Sequence, residues 1–232
     1  MAKRPVFTVS TAQPYFVETR IDFQYFSGFA LVQQQKSIGS LHQAYLLCNP
    51  NHKLLEISSK SENELGVQLS AFNLMIEPKD KKAFSVEGAF QSSKVFEFGG
   101  PYLDLRYLPP REAKKDPRLK NSGQLMRFEY SKKTFELNPT TFFYDWLYIH
   151  SLNLQPNLAE QLSDFDAFTD IAFNPEKSKN CQARSAAIYV SLFREGILEK
   201  ALESKESFLE VVYGTVSQSD TAPKQLDFGD EF

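Results

Sequence analysis

A chain of 232 residues, 42% hydrophobic and 24% charged, has the composition of a globular protein with a substantial core, as one large domain or a domain with small additions. Its formal net charge of -3 excludes the basic excess with which proteins grip duplex DNA through many phosphates, but leaves room for a local pocket that reads a modified base or a short single strand. Cys48 and Cys181 stand far apart with no CxxC pair, which argues against a structural zinc site and against a disulfide framework.

The opening Arg4–Val9 alternates like an extended edge segment, and Ile21–Phe26 repeats the alternation before Gly28 offers a turn. From Leu31 to Leu47 the residues Ile38, Leu41, Tyr45 and Leu46 fit one helical face, broken at Pro50 and Asn51. Leu54–Ser58 reads as a strand and Gly66–Ser70 as another. Ser85 can cap a helix from Val86 to Phe98, stopped by Gly99-Gly100-Pro101. Arg111–Lys120 is a polar, basic connector. Thr140–Leu152 reads as an apolar, aromatic helix and Asn157–Phe168 as a shorter one. After the loop Asn174–Ser178 a last strong helix runs from Asn180 to Glu195, stopped by Gly196. The tail from Ser217 to Phe232 has little periodicity and is expected to be mobile. Extended pieces in the first half and helices in the second predict an α+β domain with helices around a small sheet.

Met1–Thr11 lacks the apolar core of a signal peptide, and no segment approaches the roughly 20 apolar residues of a membrane helix. The expected location is the cytoplasm, whose reducing state suits two free thiols. Aromatics are abundant, with 21 Phe and 10 Tyr beside a single Trp; they can fill a core, and they also suit stacking on bases.

Chemistry concentrates in Phe84–Lys94. On a helix Glu87, Gln91 and Lys94 fall at i, i+4 and i+7 and share a face, while Val86, Ala89 and Phe90 turn away from it. A carboxylic acid can protonate a leaving base, or a carboxylate can activate water. An amine beside a sugar can stabilise charge or attack a ring-opened aldehyde. The same spacing also suits a solvent-exposed, charge-paired face. His42, His52 and His150 lack metal-ligand spacing, and no GxGxxG, P-loop or Gly-x-Ser-x-Gly is found; neither a metal nor a cofactor is expected.

Glu87, Gln91 and Lys94 reproduce the helix signature of the NADAR proteins, the NAD- and ADP-ribose-associated (YbiA-like) superfamily, which the chain resembles. Further segments resemble its branch of antitoxins paired with DarT toxins: Ala2–Phe7, Gln35–Ile38 with Leu41-His42, Leu65–Val67, Leu69–Asn73, and Gly99–Tyr102. The series continues with Phe143–Tyr148, Asp166–Ile171, and Phe173–Pro175 followed by Ser178 and Asn180–Ala183. Together they cover nearly everything before the tail. The resemblance implies a single helix-rich NADAR-type domain over residues 1–215, with 216–232 as a flexible tail. It implies an N-glycosidase-type hydrolase that removes ADP-ribose from a DNA base, guanine, modified by a DarT-type toxin. ADP-ribosylated DNA would be the substrate, ADP-ribose the product, and the cognate toxin a potential partner.

Under that resemblance Glu87 is the acid/base residue, Lys94 supports it electrostatically or through a covalent intermediate, and Gln91 orients the ribose hydroxyls. Ser70 and Phe72 belong to a segment resembling one that lines the family's ligand cleft. Other NADAR proteins place a Trp and a Gly-rich stretch before the Asn that opens the last helix; here Phe173-Asn174-Pro175 stands there, with Asn180 as the matching Asn. Trp146 is a stacking partner or a core residue, and Asp170 touches ligand or serves as a cap. Asn180 can help hold phosphate through neighbouring backbone amides, with Arg184 one turn later adding a charge-assisted bond. The cations Arg111, Lys114, Lys115, Arg118 and Lys120 meet the pyrophosphate or the DNA backbone, or form a solvated loop. Two other functions fit the same residues: a non-catalytic antitoxin that binds ADP-ribose or the toxin, and an N-glycosidase of free nucleotides.

Overall fold

The computed structural model describes residues 1–79 and 82–214; the segment expected to form a mobile tail, 216–232, lies outside the described residues. In chain order come β1 (Ala2–Val9), β2 (Phe16–Phe23), α1 (Leu31–Leu46), β3 (Leu54–Glu56), α2 (Glu64–Gln68), β4 (Met75–Ile76), β5 (Phe84–Ser85), α3 (Val86–Ser92) and β6 (Lys94–Phe96). A 3₁₀ turn (Leu103–Tyr107) follows, then α4 (Pro110–Lys114), α5 (Arg118–Asn121), β7 (Leu125–Tyr130), β8 (Lys133–Phe135), α6 (Phe142–Asn153), α7 (Pro156–Leu162) and β9 (Ala167–Thr169). Last are α8 (Gln182–Arg194), α9 (Leu198–Leu202), α10 (Lys205–Phe208) and a π-helical turn (Leu209–Tyr213). The architecture is α+β.

Alternation along β1 sends side chains to both sides of a four-stranded sheet ordered β2-β1-β9-β3. Val6 joins Phe23, Ile38, Leu41 and Tyr45 in a small core beneath α1, while Phe7 faces the main core. The expected edge position of β1 is overturned, because β2 pairs on one side of it and β9 on the other, both antiparallel. β3 runs parallel to β9, with Glu56 opposite Thr169. Both strands therefore end at the same edge of the sheet.

The main core packs α3, α6 and α8 against this sheet and against the three-stranded sheet β6-β7-β8. Every residue of α6 from Phe142 to Ile149 is buried, as expected of a helix apolar on all sides. Much of the phenylalanine surplus is spent here. Phe143 stacks on Phe128 at 4.7 Å between centroids, Phe135 lies 4.8 Å away, and Phe90 meets Phe128 at 5.3 Å. No described helix is long and apolar enough to cross a membrane.

Two further expectations are corrected. The strand read at Gly66–Ser70 is helix α2 and its end, because Asn63 caps it, its side chain accepting from the Leu65 amide at 2.9 Å. Gly66 also abuts the Glu56 carbonyl so closely that a Cβ would collide with it. The helix read over Asn157–Phe168 stops at Leu162, and its last residues enter β9.

Candidate active site

Helix α3 starts where the sequence places it. Ser85 accepts from the Gly88 amide at 3.0 Å through its hydroxyl, and the Glu87 amide donates to the Ala71 carbonyl at 2.9 Å. It ends earlier than expected. The hydroxyls of Ser92 and Ser93 both donate to the Ala89 carbonyl, at 3.0 and 2.7 Å, and Lys94 opens β6 opposite Phe128 on β7. Lys94 thus arrives from a strand, and the i+7 helical relation does not hold. Serine hydroxyls that bond back to the main chain compete with the helical ladder and favour this stop.

All three side chains are nonetheless withdrawn from water, with Glu87 6%, Gln91 4% and Lys94 9% exposed. This rules out the solvated, charge-paired face. The Gln91 amide donates to Glu87 Oε1 at 2.9 Å, which leaves Gln91 Oε1 buried with no hydrogen-bond partner. An orphaned buried acceptor is costly unless something donates to it. The Lys94 ammonium lies 5.1 Å from the centre of the Phe90 ring. Burial lowers its pKa to about 8, against the opposing pull of the Glu87 carboxylate and with a smaller lowering from the charge of Lys114. Lys94 is therefore within electrostatic reach of both Glu87 and Lys114.

Tyr144 of α6 completes the group. Its ring meets Phe90 edge-on at 5.2 Å. Burial drives its pKa well up, and the charges of Glu87 and, more weakly, Asp170 add to the rise. It therefore stands within reach of both carboxylates. Asp170 is held by the Gln182 amide at 3.0 Å and the Ala172 amide at 3.0 Å. Gln182 also donates to the Ile57 carbonyl at 2.6 Å and accepts from the Ala71 amide at 2.7 Å. One glutamine side chain thus ties the end of β3, the corner after β9 and the segment before α3 into a single rim.

Ser70 and Phe72 flank Ala71 on that rim, Ser70 buried and Phe72 half-buried. The adjoining Leu69 carbonyl accepts from the Tyr148 hydroxyl at 2.8 Å. Asn180 precedes α8, whose N-cap is Cys181 with no side-chain cap, and Asn180 Oδ1 is a second buried oxygen without a hydrogen-bond partner.

Two further residues have partners within the protein, each with one buried nitrogen left without a hydrogen bond. Trp146 packs among Phe135 (4.8 Å), His150 (4.0 Å) and Tyr130 (6.2 Å), a core position in the aromatic cluster. Arg184 closes on Asp145 through Nη2, at 2.9 and 3.1 Å to the two carboxylate oxygens. That carboxylate also accepts from Ser185 and Tyr213, each at 2.6 Å.

The family model of the DarT1-associated NADAR antitoxins matches residues 2–222. The chain belongs to that family. Among curated proteins nothing matches it. In this NADAR chain the residues that sequence reasoning passed over as site members are Tyr144 and Gln182. Tyr144 sits in a helix apolar on every side, where periodicity singles out no face. Gln182 carried a usable signal, being a polar residue in the first turn of a long apolar helix.

Proposed function

We propose that this NADAR antitoxin is an ADP-ribosyl hydrolase that removes ADP-ribose from a modified DNA base, guanine, and so undoes the work of a DarT-type toxin. The observation that carries the reading is the buried Glu87–Gln91 pair with its orphaned amide oxygen, set beside an amine of lowered pKa. A buried oxygen acceptor with no donor, beside an acid and an amine, suits a polyhydroxylated ligand such as ribose.

In this mechanism the bond from C1″ to the guanine nitrogen breaks with its electrons passing to the base, and Glu87 delivers the proton that lets the base leave. Gln91 Oε1 accepts from a ribose hydroxyl while its amide steadies Glu87. The neutral Lys94 amine adds to C1″ as the base leaves; the C1″–O4″ bond then breaks, an amine proton passing to O4″, to give a protonated imine. Water then adds to the imine carbon, Glu87 takes the water proton, and the amine departs. The sum is one water consumed, one ADP-ribose released and an unmodified base restored. Asp170 and Asn180 would receive the remainder of the ADP-ribosyl group.

The test is Glu87→Gln, which keeps an oxygen that can accept from Gln91. Release of ADP-ribose from a guanine-modified oligonucleotide, followed by mass spectrometry, should fall by roughly 10²–10⁴-fold with the melting temperature unchanged. Undiminished release would remove Glu87 from the chemistry, and no release by the wild-type chain would defeat the hydrolase reading. Running thymine-modified DNA and ADP-ribosylated free nucleotides alongside fixes which linkage is served.

A further inference from the structure

Three segments far apart in the chain meet at one side-chain amide. Gln182, half-buried at the first position of α8, accepts from the Ala71 amide at 2.7 Å through Oε1. Its Nε2 donates to the Ile57 carbonyl at 2.6 Å and to Asp170 Oδ2 at 3.0 Å. Only this orientation of the amide fits. Flipped, its oxygen would face a carbonyl and a carboxylate, and its NH₂ group would face an N–H.

Both amide protons are thereby committed to the protein, so Gln182 acts through what it holds and not by donating to a ligand. On one side is Asp170, whose other oxygen accepts from the Ala172 amide at 3.0 Å. On the other is Ala71, whose carbonyl accepts from the Glu87 amide at 2.9 Å. The third partner, Ile57, donates its own amide to the Thr169 carbonyl at 2.8 Å, one residue before Asp170. The Gln182 amide therefore links the main chain that anchors Glu87 to the carboxylate of Asp170, braced on the end of β3.

We propose that Gln182 is a positioning residue that holds the Asp170 carboxylate in register with Glu87, so that an ADP-ribosyl group gripped at Asp170 brings its glycosidic bond to Glu87. The inference rests on the hydrolase reading for its ligand, ADP-ribose. No single bond of the three carries the role. Because the amide donates and accepts at once, a side chain that lacks either function releases Asp170, Ala71 or Ile57 and leaves a polar group unmatched.

The experiment titrates the full chain with ADP-ribose by calorimetry, which needs no turnover. Gln182→Met keeps the length of the side chain and removes all three bonds. It should weaken ADP-ribose binding roughly tenfold. In an Asp170→Ala background the same change should cost less than about twofold, because the group through which it acts is gone. Equal losses in the two backgrounds would mean that Gln182 only supports the fold, and would overturn the proposal. Gln182→Glu decides the matter if the methionine variant does not fold. Its oxygen still accepts from Ala71, but when ionised it sets a second carboxylate against Asp170, which raises its pKa. Protonated, it donates to Asp170 again. Its affinity relative to wild type should therefore recover about tenfold between roughly pH 8 and pH 5. A constant ratio would overturn the proposal, as would wild-type protein with no measurable affinity for ADP-ribose. A chain that binds ADP-ribose with this pattern but releases none from modified DNA defeats the hydrolase reading and leaves Gln182 in its role.

Discussion

At the scale of single residues, Lys94 links the environment of the site to its reaction most directly. Burial penalises the charged ammonium, and its pKa drops from 10.5 to about 8, so at pH 7 about one amine in ten is neutral and able to attack carbon. If the free amine is the nucleophile, kcat/KM should climb about tenfold per pH unit towards pH 8 and level off above it. Lys94→Arg keeps the charge and removes the nucleophile, so it should abolish release. Borohydride added during turnover should leave wild-type protein carrying one ADP-ribosyl adduct at Lys94. Retained activity in the arginine variant, with no adduct, would assign Lys94 to charge stabilisation alone. That Glu87, Gln91 and Lys94 lie close together was legible in the sequence, through their spacing and its resemblance to the NADAR helix signature. Their burial was not, since the same spacing describes a solvated face.

Elements were legible where one signal dominated. The apolar faces of α1 and α8 and the unbroken apolar run of α6 each gave the helix to within a few residues. Signals failed where side chains rewrote the backbone, at Ser92 and Ser93, which end α3 early, and at Asn63, which turns an expected strand into α2. Arg184 shows the same effect between elements. Its spacing from the start of α8 suggested a phosphate ligand, but α6 presents Asp145, fully buried, and the π-helical turn adds the Tyr213 hydroxyl to the same carboxylate. The pair therefore fastens α6, α8 and the last described turn together. Removing one partner of such a pair strands the other charge in the core, at a cost of roughly 3–5 kcal/mol. Arg184→Leu should lower unfolding stability by about that amount, measured in urea, while the folded fraction keeps its affinity for ADP-ribose. Unaltered stability with lost affinity would return Arg184 to the ligand.

Across the whole molecule, the class of fold could be read from the sequence but the sheet could not. β9 is a three-residue, fully buried strand with no alternation to betray it, and its parallel pairing with β3 joins residues more than a hundred positions apart. That pairing also sets a polar network between the sheet and α1. The buried Glu56 carboxylate accepts from Thr169 Oγ1 at 2.6 Å and from the Ile171 amide at 2.9 Å, clamping the corner that carries Asp170. Since the Thr169 hydroxyl spends its proton on Glu56, the contact with His42 Nε2 at 2.8 Å requires the histidine to donate. Burial lowers the His42 pKa from 6.5 to about 4. The unfolded chain therefore takes a proton on this ring between pH 6.5 and 4 while the folded chain does not, so stability falls as pH drops through that window and is unaffected by the ring above it. Two and a half units correspond to about 3 kcal/mol, or roughly 2 kcal/mol once the partial exposure of the ring is allowed for. His42→Gln keeps a donor for Thr169 and has nothing to titrate. Comparing its urea unfolding with wild type at pH 6.5 and pH 4 cancels the shared carboxylates, Glu56 among them, and the variant should lose less stability by about that difference. Parallel pH profiles for the two proteins would mean that the ring is charged or solvated in the fold, and that the α1 side of the Asp170 corner is looser than the hydrogen bonds imply.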